Sequence, residues 1–352
     1  MFMLLKSTSC GIILRGATLA LALLSVEALA TERPVQIGSR LELFVDRHLI
    51  DGMEGVEFRL HHPQRLPLPK SPLVGHYATV IKDGDLYRGY YRALDPSYAG
   101  KQHSGHPGEI TCYAESHDGH EWNFPSLGLF EVNGSRENNA ILAKKPPFSH
   151  NFAPFLDTRP SVVPSERFKA LAGHPGYDRK TKAEGLHAFM SADGHVWKDA
   201  GDGPVIPYDK AWSHAFDSQN VSFWSEVEQL YVCYFRTWET PHGRLRSVSR
   251  STSEDFINWS KAVPMHPNLP GEHLYTSQTH PYFRAPHIYI ALPTRYVAGR
   301  VGGEKTDAML GSTDILFMTT RAGSTSYERL FTEAFMRPGL DPARWESRSN
   351  YV

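Results

Sequence analysis

The sequence predicts an all-β protein, a β-propeller of antiparallel four-stranded blades, and three observations predict it. Ser116-His-Asp118-Gly119-His-Glu-Trp122 returns as Ser191-Ala-Asp193-Gly194-His-Val-Trp197, more loosely as Ser253-Glu-Asp255-Phe-Ile-Asn-Trp259, and in decayed form between Thr320 and Tyr327. The closing aromatics Trp122, Trp197, Trp259 and Tyr327 stand 75, 62 and 68 positions apart. Copies are preceded by a short apolar or alternating run, such as Ile110-Thr-Cys-Tyr-Ala or Leu186-His-Ala-Phe-Met, so each reads as strand, Asp-Gly turn, strand. A supersecondary unit repeated at this period makes a solenoid or a propeller, and an all-β unit selects the propeller.

The N-terminus is expected to be a signal peptide. Lys6 and Arg15 supply a basic region, Ala17 to Val26 an apolar stretch too short to span a bilayer, and Ala28-Leu29-Ala30 a small-residue cleavage site. Residues 1–30 are therefore read as a signal and 31–352 as one secreted or periplasmic propeller domain with no membrane attachment after cleavage. Cys10 falls in the signal. Cys112 and Cys233 lie in strand-like runs of different repeats and are expected as free buried thiols, because a domain of this size holds a core without staples. With 37 basic against 38 acidic residues, nothing favours nucleic acid. Aromatics at 12%, with 25 Pro and 28 Gly, suit a β-rich chain with many turns.

Along the domain, Leu41–Asp46 and Val56–Leu60 read as strands that close the ring or belong to a first blade. From residue 71 a four-stranded block recurs. Its second strands are Tyr87–Arg92, Phe168–Ala172, Tyr231–Arg236 and Tyr289–Arg295, at steps of 81, 63 and 58 residues. Each is preceded by an innermost-strand candidate: Gly75–Ile81, Phe155–Val163, Phe216–Trp224 and Tyr275–Phe283. Arg348–Val352 reads as the opening of a further inner strand, so the last blade is expected to be truncated.

Propeller geometry turns these positions into a candidate site. The Asp-Gly turns lie on one face and serve structure, their carboxylates capping the turns and their tryptophans packing between blades. The inner strands begin on the other face, where His76, Asp157, Asp217, and Gln278 or His280 are expected to converge, with Gln219 beside them. Arg92, Arg236 and Arg295 end second strands at matching positions, an arrangement suited to clamping an anion or sugar hydroxyls. The loops 97–108 with His103 and His106, 173–184 with His174 and Glu184, and 237–244 with Trp238, Glu239 and His242 feed the same cavity. No tight ligand spacing appears among the 18 histidines, so neither a metal nor another cofactor is expected. The structural alternative for Asp157 is a residue that holds the backbone of the next blade, helped by Arg159.

Ser-x-Asp-Gly-x-x-Trp turns closing each blade, with an inner-strand Asp in successive blades, resemble the five-bladed β-propeller glycoside hydrolases: the arabinanase/xylosidase and invertase/levanase families and the neoagarooligosaccharide hydrolases, and most of all their uncharacterised secreted relatives. The resemblance spans about residues 70–352. It implies five blades, a carbohydrate substrate held in the axial cavity, and carboxylate acid/base catalysis with three acidic residues at the axis. Asp157 matches the second-blade position, Asp217 the third, and His76 stands where the family's first-blade Asp would be; Asp46 is the substitute base if the first strand pair reaches the axis. Catalytic roles are thus expected for Asp157, Asp217 and His76, and substrate binding, to a neutral or anionic sugar, for Arg92, Arg159, Gln219, Arg236, His280 and Arg295. The alternatives are a catalytically inactive sugar-binding propeller, a sialidase-like hydrolase with an arginine clamp, and a scaffold for a protein partner.

Overall fold

Strand pairing runs as consecutive meanders. In the computed structural model, which describes residues 34–64, 66–174, 184–212, 215–238, 240–297 and 313–337, the first meander is β1 (His76–Asp83), β2 (Leu86–Leu94), β3 (Glu109–Ser116) and β4 (Ala140–Leu142), hydrogen-bonded in that order. The second is β5 (Ala153–Leu156), β6 (Phe168–Ala172), β7 (Gly185–Ser191) and β8 (Lys198–Asp199), with β9 (Ile206–Pro207) also on β7. The third is β10 (Val221–Ser225), β11 (Leu230–Thr237), β12 (Ser247–Ser253) and β13 (Val263–Pro264).

The remaining strands are β14 (Glu272–Leu274), β15 (His280–Tyr282), β16 (Ala285–Ala291), β17 (Thr294–Val297), β18 (Thr313–Ile315) and β19 (Met318–Arg321). They pair as β14-β17-β18 and β15-β16-β19. Because β16 runs into β17 and β18 into β19 after two intervening residues, these two sheets are one long bent unit. All ladders are antiparallel, and the only helical segments among the described residues are three short 3-10 turns. The chain from Ser39 onward is a compact unit separate from Met1–Gly38. The signal-peptide reading, residues 1–30, and the expected last inner strand, 348–352, both lie outside the described residues.

The four first strands form the centre. β1 packs on β5, β5 on β10 and β10 on β15. Gln219, just before β10, donates through Nε2 to Tyr77 O and Thr79 Oγ1 of β1, both at 2.8 Å, while Gln278 Nε2 donates to Gln219 Oε1. The first and third units therefore meet across a shared axis, as a propeller requires. Apolar side chains fill the spaces between sheets: the Trp197 ring meets Phe152 edge-on at 4.9 Å and Tyr90 of the neighbouring unit at 6.4 Å. Cys112 and Cys233 are free and buried, and burial pushes the Cys112 thiol up to about 12.

The repeated turns have one construction. Ser116 Oγ bonds Asp118 Oδ1 at 2.9 Å, and Asp118 Oδ1 accepts from the backbone N–H groups of His120 and Glu121 at 2.8 and 2.9 Å. Ser191 with Asp193 and Ser253 with Asp255 repeat this arrangement, with both backbone donors at 2.7 to 2.9 Å. The residue after the Asp needs a left-handed backbone: Gly119 has φ +74°, Gly194 +79°, and Phe256 adopts +70° in the third copy. Phe256 tolerates it because its ring is fully buried against Phe155, Tyr231 and Trp259. Gly194 has no such latitude, since a Cβ there would sit 2.5 Å from the Tyr90 hydroxyl. Gly194→Ala is expected to cost more than about 1 kcal/mol, measured as a lower midpoint in urea; an unchanged midpoint would mean the turn relaxes freely.

Two expectations are corrected. Leu41–Asp46 and Val56–Leu60 form no strands, because they have no apolar face to bury: Leu41, Phe44 and Val56 are exposed. The first of these segments is fastened instead by its charges. Arg321 of β19 holds Asp46 at 2.7 Å and Glu42 at 3.1 Å, and His287 of β16 holds Glu42 at 2.9 Å. Asp46 is thus committed to β19, the far strand of its sheet, and is not a base at the axis. The second inner strand is Ala153–Leu156, so Asp157 follows its end and faces away from the strand starts.

Candidate functional site

Asn151 gathers the site. Its fully buried side chain donates to Gly173 O at 2.7 Å, to Phe216 O at 2.6 Å and to Ser218 O at 3.2 Å, and its Oδ1 accepts from Gly173 N at 3.0 Å. One amide therefore ties together the start of β5, the end of β6 and the lead into β10. The neighbours of the tied residues are His150, His174 and Asp217. Gly173 is required at its place: its φ is +150°, and a Cβ would meet the Gly185 carbonyl oxygen at 1.9 Å.

His150 is the hub of the resulting charge network. Its Nδ1 faces Glu109 Oε1 at 2.9 Å and Oε2 at 3.1 Å, and its Nε2 faces Asp217 Oδ1 at 3.2 Å. His174 Nε2 stands 3.6 Å from the same Oδ1, and Arg236 donates to Asp217 Oδ2 at 2.6 Å. Arg92 donates to His150 O at 3.1 Å, stands 2.7 Å from His150 Nδ1, and covers the Tyr77 ring. The Gly105 N–H donates to Glu109 Oε2 at 3.0 Å. Glu109 and His150 are buried beneath, whereas the Asp217 side chain is 35% exposed and His174 partly so.

Burial alone would raise the Asp217 pKa, but the hydrogen bonds from His150 and His174 and the charge of Arg236 outweigh it and hold the carboxyl far below the usual range. Burial alone would lower the His150 pKa, but hydrogen bonds to Asp217 and Glu109 reverse this and leave it raised. Two linkage contributions follow, with opposite signs. The raised imidazole adds stability that is full below about pH 6.5 and is lost as pH climbs through its folded value; the depressed carboxyl adds stability that is full above about pH 3.9 and is lost as pH falls. Half-buried His187, His195 and His273 are lowered by desolvation and act oppositely to His150. The informative quantity is therefore a difference. The fall in Tm between about pH 6.5 and 8.5 should be steeper in the metal-free wild type than in His150→Gln, and identical slopes would contradict the raised pKa.

The structure brings together part of the expected set. Asp217, Arg92 and Arg236 are in the cluster, and Gln219 lies below it on the axis. His76 opens β1 opposite Arg92 and is exposed; the next residue, Tyr77, carries the ring that meets His150 at 5.9 Å. His280 opens β15, exposed, and bonds the Gln278 carbonyl. Asp157 is elsewhere: its carboxylate is fully buried, 2.8 Å from Lys169 Nζ, and accepts from the Tyr231 hydroxyl at 2.6 Å. Arg159 lies over the Tyr231 ring, on that same side. Arg295 is spent on Asp314, which it holds through two bonds at 2.7 and 2.8 Å. The Asp157/Asp217 carboxylate pair and the three-arginine clamp therefore do not form; the second carboxylate near Asp217 is Glu109, with the His150 ring between them.

Glu109 and His150 were not anticipated, although a sequence signal exists for His150. Histidines 76, 150, 214 and 280 are spaced 74, 64 and 66 apart, nearly the period of the turn motif, and His150 and His214 share the pattern Ser-His-x-Phe. His214, Glu239 and residues 175–183 lie outside the described residues. His150, His174 and Asp217, 24 and 43 residues apart in sequence, present three potential ligand atoms within 4.8 Å of one another.

No family model matches the chain, and no curated protein matches it. Solved structures similar to it include one titled "Glycoside hydrolase", at 15% identity over 80% of this chain and 81% of that one, TM-score 0.49. Another is an endo-arabinase from Bacteroides thetaiotaomicron, at 11% identity over 76% and 84%, TM-score 0.45. A third is an N-acetylgalactosamine deacetylase from F. plautii in complex with a blood group B trisaccharide, at 14% identity over 69% and 71%, TM-score 0.44. Among the described residues, no helix is long and apolar enough to cross a membrane.

Proposed function

We propose that this chain is a secreted or periplasmic hydrolase of poly- or oligosaccharides, and that bonds are broken at the Asp217, His150 and His174 cluster on the face where the inner strands begin. The observation that carries the reading is the gathering, by one buried amide, of an ionised carboxylate, two imidazoles and two guanidiniums from different sheets at a partly open position. Such a cluster is costly to assemble and has no structural task that an apolar contact would not perform.

The chemistry differs from that of the two-carboxylate glycosidases. A carboxyl held as low as Asp217 is a weak base and cannot act as a general acid near neutrality; its part is to fix the imidazoles and to oppose positive charge developing on the substrate. Proton exchange in the neutral range falls to imidazole. Arg92, partly exposed beside the cluster, suits hydroxyls, or a uronate or sulfate group on the sugar, while buried Arg236 holds Asp217 in place.

The test is a screen of neutral and anionic polysaccharides with the full chain, scored for reducing ends and for acid groups released, with binding followed in parallel. Turnover on one glycan class supports the reading. Saturable sugar binding without any bond cleavage would replace it with a carbohydrate-binding propeller.

A further inference from the structure

We propose that His150, His174 and Asp217 form a binding site for one divalent first-row transition ion of the Zn2+ type. The ion's use in hydrolysis rests on the reading above; its binding does not. Asp217 Oδ1 is 3.2 Å from His150 Nε2 and 3.6 Å from His174 Nε2. Ligand atoms held tetrahedrally at about 2.0–2.1 Å from a metal stand about 3.3 Å apart, so both separations from Asp217 Oδ1 suit an ion, and the three ligand atoms all lie within 4.8 Å of one another. Both Nε2 atoms face the same oxygen, and the two imidazole planes are perpendicular, with centroids 5.5 Å apart.

The surroundings are those of a ligand set. Glu109 holds the far nitrogen of His150, which leaves Nε2 as the ligand atom, the carboxylate–histidine arrangement that orients imidazoles on metals. Arg236 occupies Asp217 Oδ2 and so directs Oδ1 inward. Two imidazole nitrogens and one carboxylate oxygen favour Zn2+, Fe2+ or Co2+ over Ca2+ or Mg2+, which prefer oxygen alone. Three protein ligands leave a position for water on the side where Asp217 and His174 are open, the pattern of catalytic sites.

The full chain, stripped by chelator, is titrated with Zn2+, with Co2+ as a spectroscopic probe, and with Ca2+. Expected are one equivalent of Zn2+, Co2+ d–d bands of a low-coordinate N/O site, and a rise in Tm with Zn2+ but not with Ca2+. Glu109→Gln should weaken Zn2+ about 10–100-fold, His174→Ala more, and exposed His117→Ala not at all. No saturable equivalent in the wild type, a preference for Ca2+, or undiminished affinity in folded His174→Ala overturns the proposal. Hydrolysis that survives full chelation rejects the ion's part in the reaction and leaves the hydrolase standing, whereas tight Zn2+ binding with no glycan cleaved keeps the site and rejects the hydrolase.

Discussion

Asp157→Ala is expected to destabilise the protein by about 3–5 kcal/mol, because it strands a buried ammonium. Lys169 is fully enclosed and its Nζ lies 2.8 Å from the Asp157 carboxylate; its remaining partners are the Glu166 carbonyl at 2.9 Å and carboxylate at 3.5 Å. The substitution also removes the acceptor of the Tyr231 hydroxyl. Those remaining partners place the loss toward the lower end of the range. The combined change Asp157→Leu, Lys169→Met should recover much of it, since two apolar residues of similar volume leave no charge unpaired. Urea denaturation of the two proteins checks this. A single variant as stable as wild type would show that the pair is hydrated and not buried.

Asp217→Asn is expected to lower kcat on the responsive glycan by about 10²–10³-fold with a much smaller change in KM. The amide keeps the shape of the side chain but removes the charge on which His150, His174 and Arg236 converge. The interactions lost are those that matter as charge moves in the transition state, which is why kcat should suffer first. Arg236 is almost completely buried, so the variant also loses some stability, and turnover must be referred to folded protein. An unchanged kcat removes Asp217 from the chemistry.

The fold was legible because its signals are local. Ser, Asp and a left-handed residue build the turn within five positions, and a closing aromatic packs between sheets, so three copies declare themselves without tertiary information. The site was legible only where strand and loop lengths repeat. A constant offset from the second-strand aromatic finds His76, since the β1–β2 hairpin has two loop residues (84–85). The β5–β6 connection spans eleven (157–167), including a 3-10 turn, and the same offset lands on Asp157, past the strand's end. The position equivalent to His76 is held by His150. Glu109 carried no readable signal at all: it acts by lying behind His150, a relation between sheet strands and a turn that pairing creates. The N-terminal strands failed because alternation counts only when one face is apolar, and Leu41 and Phe44 find no surface to cover.

The central claim is that the reaction centre is the Asp217, His150 and His174 cluster and that Asp157 is part of the scaffold. The most direct measurement is kcat per folded molecule for Asp157→Asn and Asp217→Asn, side by side on the same glycan at a temperature where both are folded. The account predicts that Asp157→Asn keeps wild-type turnover while Asp217→Asn loses at least about 100-fold. Loss of turnover in Asp157→Asn with Asp217→Asn still active would contradict it.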